Sequence, residues 1–404
     1  MRILVLSTWW PEPADNGSRL RSMQLLRALS TRHEVHLVAF SQGPVAQLQR
    51  TELDQICASA VAIERPGRPL RFRDRLQSLM VAEPASVRAT WSAEFAATVQ
   101  ASTERLNPTV VLALEIDVAP YARQLTSAIR ILEDLELAYL FEHYQQYREP
   151  HLRLRYWLTA LQHRRYVAAL LRDFAAVTVV SAREAALVRD LVGQQSLELA
   201  VIPNGADVAA SAGYRYQPDL DTLIYPGALS YAANLDAMRY FVAEILPLIR
   251  RERPQTRLRI TGRTTPEQRA ALSNLEGVEF TGYVEDVRAL IARSTVEVVP
   301  LRQGGGTRLK ILEALALGTP VVSTSKGVEG LELQAGQELL VADQPAAFAA
   351  ATLHLLNDSD VRTQLSEAGR QAVGARYDWA VLTPRLLELL ETVVEMRTPA
   401  YVAA

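Results

Sequence analysis

The sequence predicts an α/β protein built from two doubly wound parallel-sheet domains that face each other across a cleft. Three observations carry this. Short β-branched apolar runs alternate with longer helical patterns from end to end. The runs are apolar throughout instead of alternating, as strands covered on both faces are. Twelve such runs are too many for one strongly twisted open sheet.

In the first half the strands are expected at 2–7, 34–40, 61–64, 109–115, 130–134 and 176–181, with helices at 18–29, 92–106 and about 151–174. In the second half they are expected at 222–226, 257–261, 278–281, 296–301, 320–323 and 338–341. Helical patterns at 234–252, 284–293, 307–317, 345–355 and 359–376 fill the gaps. The boundary falls at 203–221, where turn residues occur without a clear period. Ligands of open α/β sheets bind at the carboxyl ends of the strands, so function is expected there.

Composition narrows the chemistry. The 404 residues carry a net charge of −2, which argues against general nucleic-acid binding. A single cysteine, Cys57, excludes a disulfide framework or a cysteine-based zinc site. Of 43 basic residues only Lys310 and Lys326 are lysines, and neither sits in an apolar pattern that would lower its pKa. The opening MRILVLSTWW reads as a strand and not as a secretory signal. No uncharged run reaches the roughly 18 residues of a transmembrane helix. A cytoplasmic protein is expected.

The most informative segment is VEVVPLRQGGGTRLKILEALALGTPVVST, residues 296–324. A buried strand ends at Leu301, and Gly304, Gly305 and Gly306 allow close backbone approach to a ligand. A helix is expected from Thr307, its free N–H groups aimed at that loop. Arg308 and Lys310 add positive charge where the helix dipole disfavours it, at a cost of roughly a few tenths of a kcal/mol each. An external anion explains them economically. Glu313, further along the helix, has the chemistry to accept hydrogen bonds from vicinal hydroxyls. Phosphate and diol sites on one helix together suggest a nucleoside diphosphate.

PNGADV (203–208), LIYPGALSYAANLDAMRYF (223–241), GYVEDV (282–287), GGGTRLKILEALALGTPVVST (304–324), SAREAALVRDL and the closing Tyr377-Asp378-Trp379 resemble family 4 glycosyltransferases along essentially the whole chain. The resemblance implies the GT-B fold of two Rossmann-like domains. Residues 1–203 would bind acceptor and 204–380 the donor, with a helix at 381–404 packing back toward the first domain. It implies retaining transfer from a nucleoside diphosphate sugar to a hydroxyl of a carbohydrate or lipid-linked acceptor, in cell-surface polysaccharide or glycolipid synthesis.

Donor contacts implied by the resemblance are Asn16, Gly17, Gly227, Gly262, Arg263, Tyr283, Val284, Gly304, Gly305, Gly306, Thr307 and Glu313, with Arg308 and Lys310 stabilising the leaving diphosphate. Two departures stand out. The family's first carboxylate of the Glu-x7-Glu pair falls on Gly305, and its basic pair after the first strand of the second domain falls on Ala228 and Ala233. Arg302 is a candidate third cation, and Arg19 and Arg21 could reinforce the Asn16-Gly17 loop. Candidates for acceptor activation are Glu115, Asp117 and the cluster Glu133, Asp134 and Glu136; His143 and His163 are expected to be solvated or packed.

No resident cofactor and no metal are expected. Asp219-Leu220-Asp221 is a DxD string, but it is expected by chance and falls in the interdomain linker. The alternatives are a non-catalytic nucleotide-sugar-binding paralogue and a GT-B nucleotide-sugar epimerase. A dinucleotide oxidoreductase would need a GxGxxG turn that residues 8–17 lack. Two arginine-rich tracts, at 65–75 (Arg68, Arg71 and Arg73 among them) and in REPHLRLRYWLTALQHRRYVAALLRDF, raise the question of peripheral contact with an anionic membrane. In the second tract Leu152, Tyr156, Leu161, Val167 and Leu171 would form the buried face.

Overall fold

The computed structural model describes residues 1–66, 83–133, 136–138, 141, 144, 149–193, 197–272, 275–304 and 308–397. The chain divides into two compact units, Met1–Pro203 with Thr383–Ala404, and Asn204–Leu382.

In the first unit the apolar runs form β1 (Arg2–Ser7), β2 (Glu34–Ser41), β3 (Ser59–Glu64), β4 (Val110–Leu114), β5 (Ile129–Glu133), β6 (Ala176–Val179) and β7 (Glu198–Val201). They make one parallel sheet in the order β3-β2-β1-β4-β5-β6-β7. The main helices between them are α1 (Gly17–Ser30), α2 (Ala93–Leu106), α3 (Pro150–Leu171) and α4 (Ala182–Val192). β7 is a strand the sequence did not announce. Its residues ELAV are half-buried or exposed, as an edge strand allows, so the run is neither long nor fully apolar.

The second unit contains β8 (Asp219–Tyr225), β9 (Arg257–Thr261), β10 (Val278–Gly282), β11 (Ser294–Val299), β12 (Val321–Ser323) and β13 (Leu340–Val341), in the order β10-β9-β8-β11-β12-β13. Its helices include α5 (Ala232–Tyr240), α6 (Leu246–Glu252), α7 (Arg288–Ala292), α8 (Leu309–Leu317), α9 (Pro345–Asn357) and α10 (Ser359–Arg376). The helix expected at 234–252 is interrupted by a π-helical turn at Phe241–Ile245, directly before Pro247, whose ring cannot continue the α-helical ladder. A last helix, α11 (Trp379–Arg397), begins in the second unit and joins the first from Thr383.

All strand pairs are parallel, and each sheet reverses its order at one place, between β1 and β4 and between β8 and β11. Such a switch point opens a crevice at the carboxyl ends, because the crossover helices on either side leave toward opposite faces. The inner residues of the strands flanking it are deeply buried. Leu223, Ile224, Tyr225, Val296, Val298 and Val299 have no exposed surface, each such side chain contributing about 1.5–3 kcal/mol by burial. These strands hold the following loops in place.

The Asp219-Leu220-Asp221 string departs from expectation. It opens β8 and lies at the amino end of that strand. Asp219 pairs with Arg259 and Arg293, whose hydrogen bonds hold its carboxyl below the usual range, and Asp221 pairs with Arg253. These acids tie the strand's outer end.

Candidate functional site

In the second unit the loops after β8, β9 and β11 converge at the switch point. The loop after β8 passes through Gly227 at φ +150°, and a methyl group there would lie 2.9 Å from Asn234 Nδ2 and 3.0 Å from Lys310 Nζ. Gly262, at φ +94° after β9, lies so close to the same loop that a Cβ would meet the Ala228 backbone at 2.8 Å. Gly304, at φ +101° after β11, faces Tyr231 and Ala233. Gly227, Gly262 and Gly304 each hold a positive φ at a place where a Cβ would crowd a neighbour. Gly305, Gly306 and Thr307 lie outside the described residues.

The helix after this loop starts two residues later than expected. Arg308 is the cap residue of α8 and not part of its first turn. Its guanidinium is buried and its Nη2 donates to the Gly304 carbonyl at 2.8 Å, so one cation braces the loop from beneath. Lys310 reaches back to the carboxyl end of β8. Its Nζ lies 3.7 Å from the centre of the Tyr225 ring and 3.4 Å from Asn234 Oδ1. Asn234 is fixed in turn, accepting from the Tyr225 hydroxyl at 2.7 Å and donating to the Ala228 carbonyl at 2.9 Å. The ammonium thus stands beside Gly227, near the positions where the family resemblance would put a basic pair and this chain has Ala228 and, on α5, Ala233.

The environment of Lys310 corrects the sequence reading of an unperturbed lysine. Burial lowers its pKa to about 7; the carboxyl of Glu297 opposes that shift and the charge of Arg308 adds to it. Glu297 sits on β11 with no exposed surface, and neither carboxyl oxygen has a hydrogen-bond partner among the described residues. Burial raises its pKa well above the ordinary range, with Lys310 pulling the other way. Sequence reasoning missed this residue, although the signal was present: Glu297 is the one charge inside the apolar run VEVVPL.

Glu313 is half-buried on α8, while Leu312 and Leu315 are fully buried. Among the described residues its carboxylate has neither a hydrogen bond nor an ion pair. Burial raises its pKa, and the positive charge of nearby Arg288 works against the rise. Arg288 is itself held by Asp286, which also accepts from Tyr214. Arg302, the candidate third cation, pairs with Asp236 at 2.7 Å and lies over the Tyr240 ring. At the ends of β9 and β10 the exposed Arg263 stacks on Tyr283, 5.4 Å from its ring centre, and Val284 follows half-buried.

In the first unit the loop after β1 ends at Asn16, the N-cap of α1, whose side chain accepts from the Arg19 amide; Gly17 is the first helical residue. Arg19 pairs with Asp15 at 2.8 Å. Arg21 is not available to a ligand. It is buried with Glu133, its Nε 3.1 Å from that carboxylate, and also donates to the Ile202 carbonyl. Glu133 further accepts from Thr178. This pair links α1, β5 and β6 internally, which removes both residues from the candidate site.

Glu115 directly follows β4 at the switch point of the first sheet, with φ +71°, and accepts from Trp9 Nε1 at 3.1 Å. Asp117 pairs with Arg65 at 2.6 Å. Glu136 is half-buried before α3, and His163 is half-buried with its Nδ1 2.8 Å from the Thr159 carbonyl. Asp134, His143, Arg68, Arg71 and Arg73 lie outside the described residues.

Residues 221–358 match the family model described as Glycosyl transferases group 1. The chain is 32% identical over 153 residues to the phosphatidyl-myo-inositol mannosyltransferase of Mycobacterium leprae, a match covering 36% of this chain and 41% of that protein. In fold it resembles sucrose-phosphate synthase from Thermosynechococcus elongatus, with a TM-score of 0.70, 19% identity, and 98% and 100% of the two chains covered. It also resembles HepE of Anabaena, solved in complex with UDP and glucose, with a TM-score of 0.68, 15% identity, and 97% and 100% covered. The two parallel-sheet units are those of the GT-B fold, and residues 221–358, the stretch that matches the group 1 glycosyltransferase model, carry the loops after β8, β9 and β11.

Proposed function

We propose that the protein is a retaining glycosyltransferase that moves a sugar from a nucleoside diphosphate sugar to a hydroxyl acceptor. One observation carries the reading. At the switch point of the second sheet, three glycines with left-handed φ let the loops pack closely, Gly227 directly beside Lys310, and Glu313 follows on the same helix with an unbonded carboxylate. A strand-loop-helix of this kind suits a diphosphate, and a free carboxylate acceptor suits the ribose hydroxyls.

As the glycosidic bond breaks, charge grows on the leaving diphosphate. Lys310 and the amides around Gly304 meet that charge in a preorganised and largely desolvated setting, with Arg308 bracing the loop. Fixed cations take the part that a metal plays in other transferases. Retention follows a front-face course in which the leaving phosphate helps to deprotonate the acceptor. Arg263 and Tyr283 lie toward the nucleoside end, and Glu115 in the first unit is the candidate for polarising an acceptor hydroxyl. The phosphatidyl-myo-inositol mannosyltransferase relative favours a lipid-linked acceptor and a role in glycolipid synthesis.

The test is turnover with a panel of nucleotide sugars, with and without acceptors. Release of free nucleoside diphosphate only in the presence of acceptor is expected. Glu313→Ala should raise the donor KM about 10- to 100-fold, the loss of a charge-assisted hydrogen bond of roughly 1.5–3 kcal/mol. Arg308→Ala should depress kcat as well. Unchanged turnover in both variants contradicts the assignment.

A further inference from the structure

The long helix α3 has two apolar faces, and only one of them is used by the fold. Ala160, Val167, Leu170 and Leu171 are buried in the core of the first unit, as is Tyr166. Of the face expected from sequence, Val167 and Leu171 are buried, whereas Leu152, Tyr156 and Leu161 are half-buried. Leu154, Trp157 and Leu158 point the other way, with 57%, 45% and 46% of their surfaces exposed. Spaced three and four residues apart, they share one stripe of the helix, and Leu161 continues it one turn on.

Charge flanks this stripe. The 22 residues of α3 hold four arginines and no acid. Arg164 pairs with Asp190. Arg153, Arg155 and Arg165 are exposed, and none of them has an acidic partner among the described residues. Arg155 sits beside the Tyr156 ring. Around the helix axis, Arg153 and Arg164 border one side of the stripe and Arg155 the other, at 100° per residue.

A large exposed apolar stripe is costly in water and marks a contact surface. Uncompensated arginines beside an indole and two leucines match the interfacial region of an anionic bilayer, where the apolar side chains insert and the guanidinium groups meet phosphates. A protein partner with an apolar groove would not require that excess of one charge. Among the described residues no helix is long and apolar enough to cross a membrane, so contact through this face would be peripheral.

We propose that the outward face of α3, formed by Leu154, Trp157 and Leu158 with Arg153 and Arg155 on its two sides and Arg165 two turns further along it, docks the protein on the surface of an anionic lipid membrane. The surface does not involve the donor site, so the two readings stand or fall separately. The test is co-sedimentation of the full chain with vesicles of phosphatidylglycerol and phosphatidylcholine, against vesicles of phosphatidylcholine alone. Binding to the anionic vesicles is expected, weakened at least tenfold on raising salt from 0.05 to about 0.5 M as screening shortens.

Replacing Leu154, Trp157 and Leu158 together with Ser should lower the partition at least tenfold. Replacing Arg153, Arg155 and Arg165 with Gln should remove the preference for anionic lipid. Because Cys57 is buried, a Leu158→Cys variant carries an environment-sensitive dye at one accessible position, whose emission should shift to the blue on vesicle addition. Equal binding by wild type and the Ser variant, equal binding to both vesicle types, or no dye shift overturns the proposal. So does a self-association that the Ser variant abolishes without any vesicle binding, which would assign the face to a second copy of the chain.

Discussion

At the scale of single residues, Lys310 and Glu297 connect site chemistry to pH. In the proposed site it is the charged form of Lys310 that would attract a diphosphate, and burial brings its pKa down to about 7. Below that value the ammonium is present; above it the free protein must take up a proton to bind. Affinity for UDP should therefore be highest below pH 7 and fall by up to tenfold per unit above it. Lys310→Arg, charged at every accessible pH, should flatten that limb. Calorimetric titration at pH 6 and pH 8 reads both effects. Glu297 makes the complementary case for stability, because a buried carboxyl without hydrogen bonds is costly. Glu297→Val should raise the unfolding free energy by about 1–4 kcal/mol, read from urea denaturation, while weakening nucleotide binding at pH 8.

The Arg21–Glu133 pair shows the opposite economy. Both groups are buried and bonded to each other and to Ile202 or Thr178, so removing one strands the other. Arg21→Ala should cost about 3–5 kcal/mol of stability, whereas Arg19→Ala, which breaks a more exposed pair, should cost under about 1 kcal/mol. Nothing in the local sequence separates two arginines spaced two apart on one helix. Only the sheet order, which brings β5 and β6 beneath α1, decides which of them is buried.

At the scale of elements, the strands of both sheet centres were legible because continuous β-branched runs leave little alternative. The edge strand β7 was not, since half-buried ELAV carries no such pattern. The Asp219-Leu220-Asp221 string was assigned to a linker because its charges hid the start of β8, where arginines from β9 and the turn before β11 neutralise Asp219. The start of α8 was misplaced because Arg308 has the composition of a first turn but the backbone of a cap. The three loop glycines were readable as a group, and their geometry gives each a separate task. Gly262→Ala would drive a methyl into the Ala228 backbone from a left-handed φ, so a loss of at least about 2 kcal/mol is expected in denaturant unfolding. Gly227→Ala would instead press on the Lys310 and Asn234 side chains, and should weaken nucleotide binding more than it lowers stability.

At the scale of the molecule, two sheets with the same kind of order reversal place their loops at two switch points, and the residues gathered there differ in kind. The second unit offers glycines, a poised cation and an unbonded carboxylate; the first offers Glu115, braced by Trp9. The candidate donor residues form a contiguous motif in the sequence, whereas the candidates for acceptor activation are spread over separate loops. The central claim is that the loops after β8 and β11 bind a nucleoside diphosphate. Calorimetric titration of the full chain with UDP and GDP at pH 6.5 tests it most directly. The expected result is saturable one-to-one binding of at least one nucleotide, weakened at least tenfold by Lys310→Ala and unchanged by Glu115→Ala. Absence of binding by the wild type, or equal affinity in the Lys310→Ala variant, would contradict the claim.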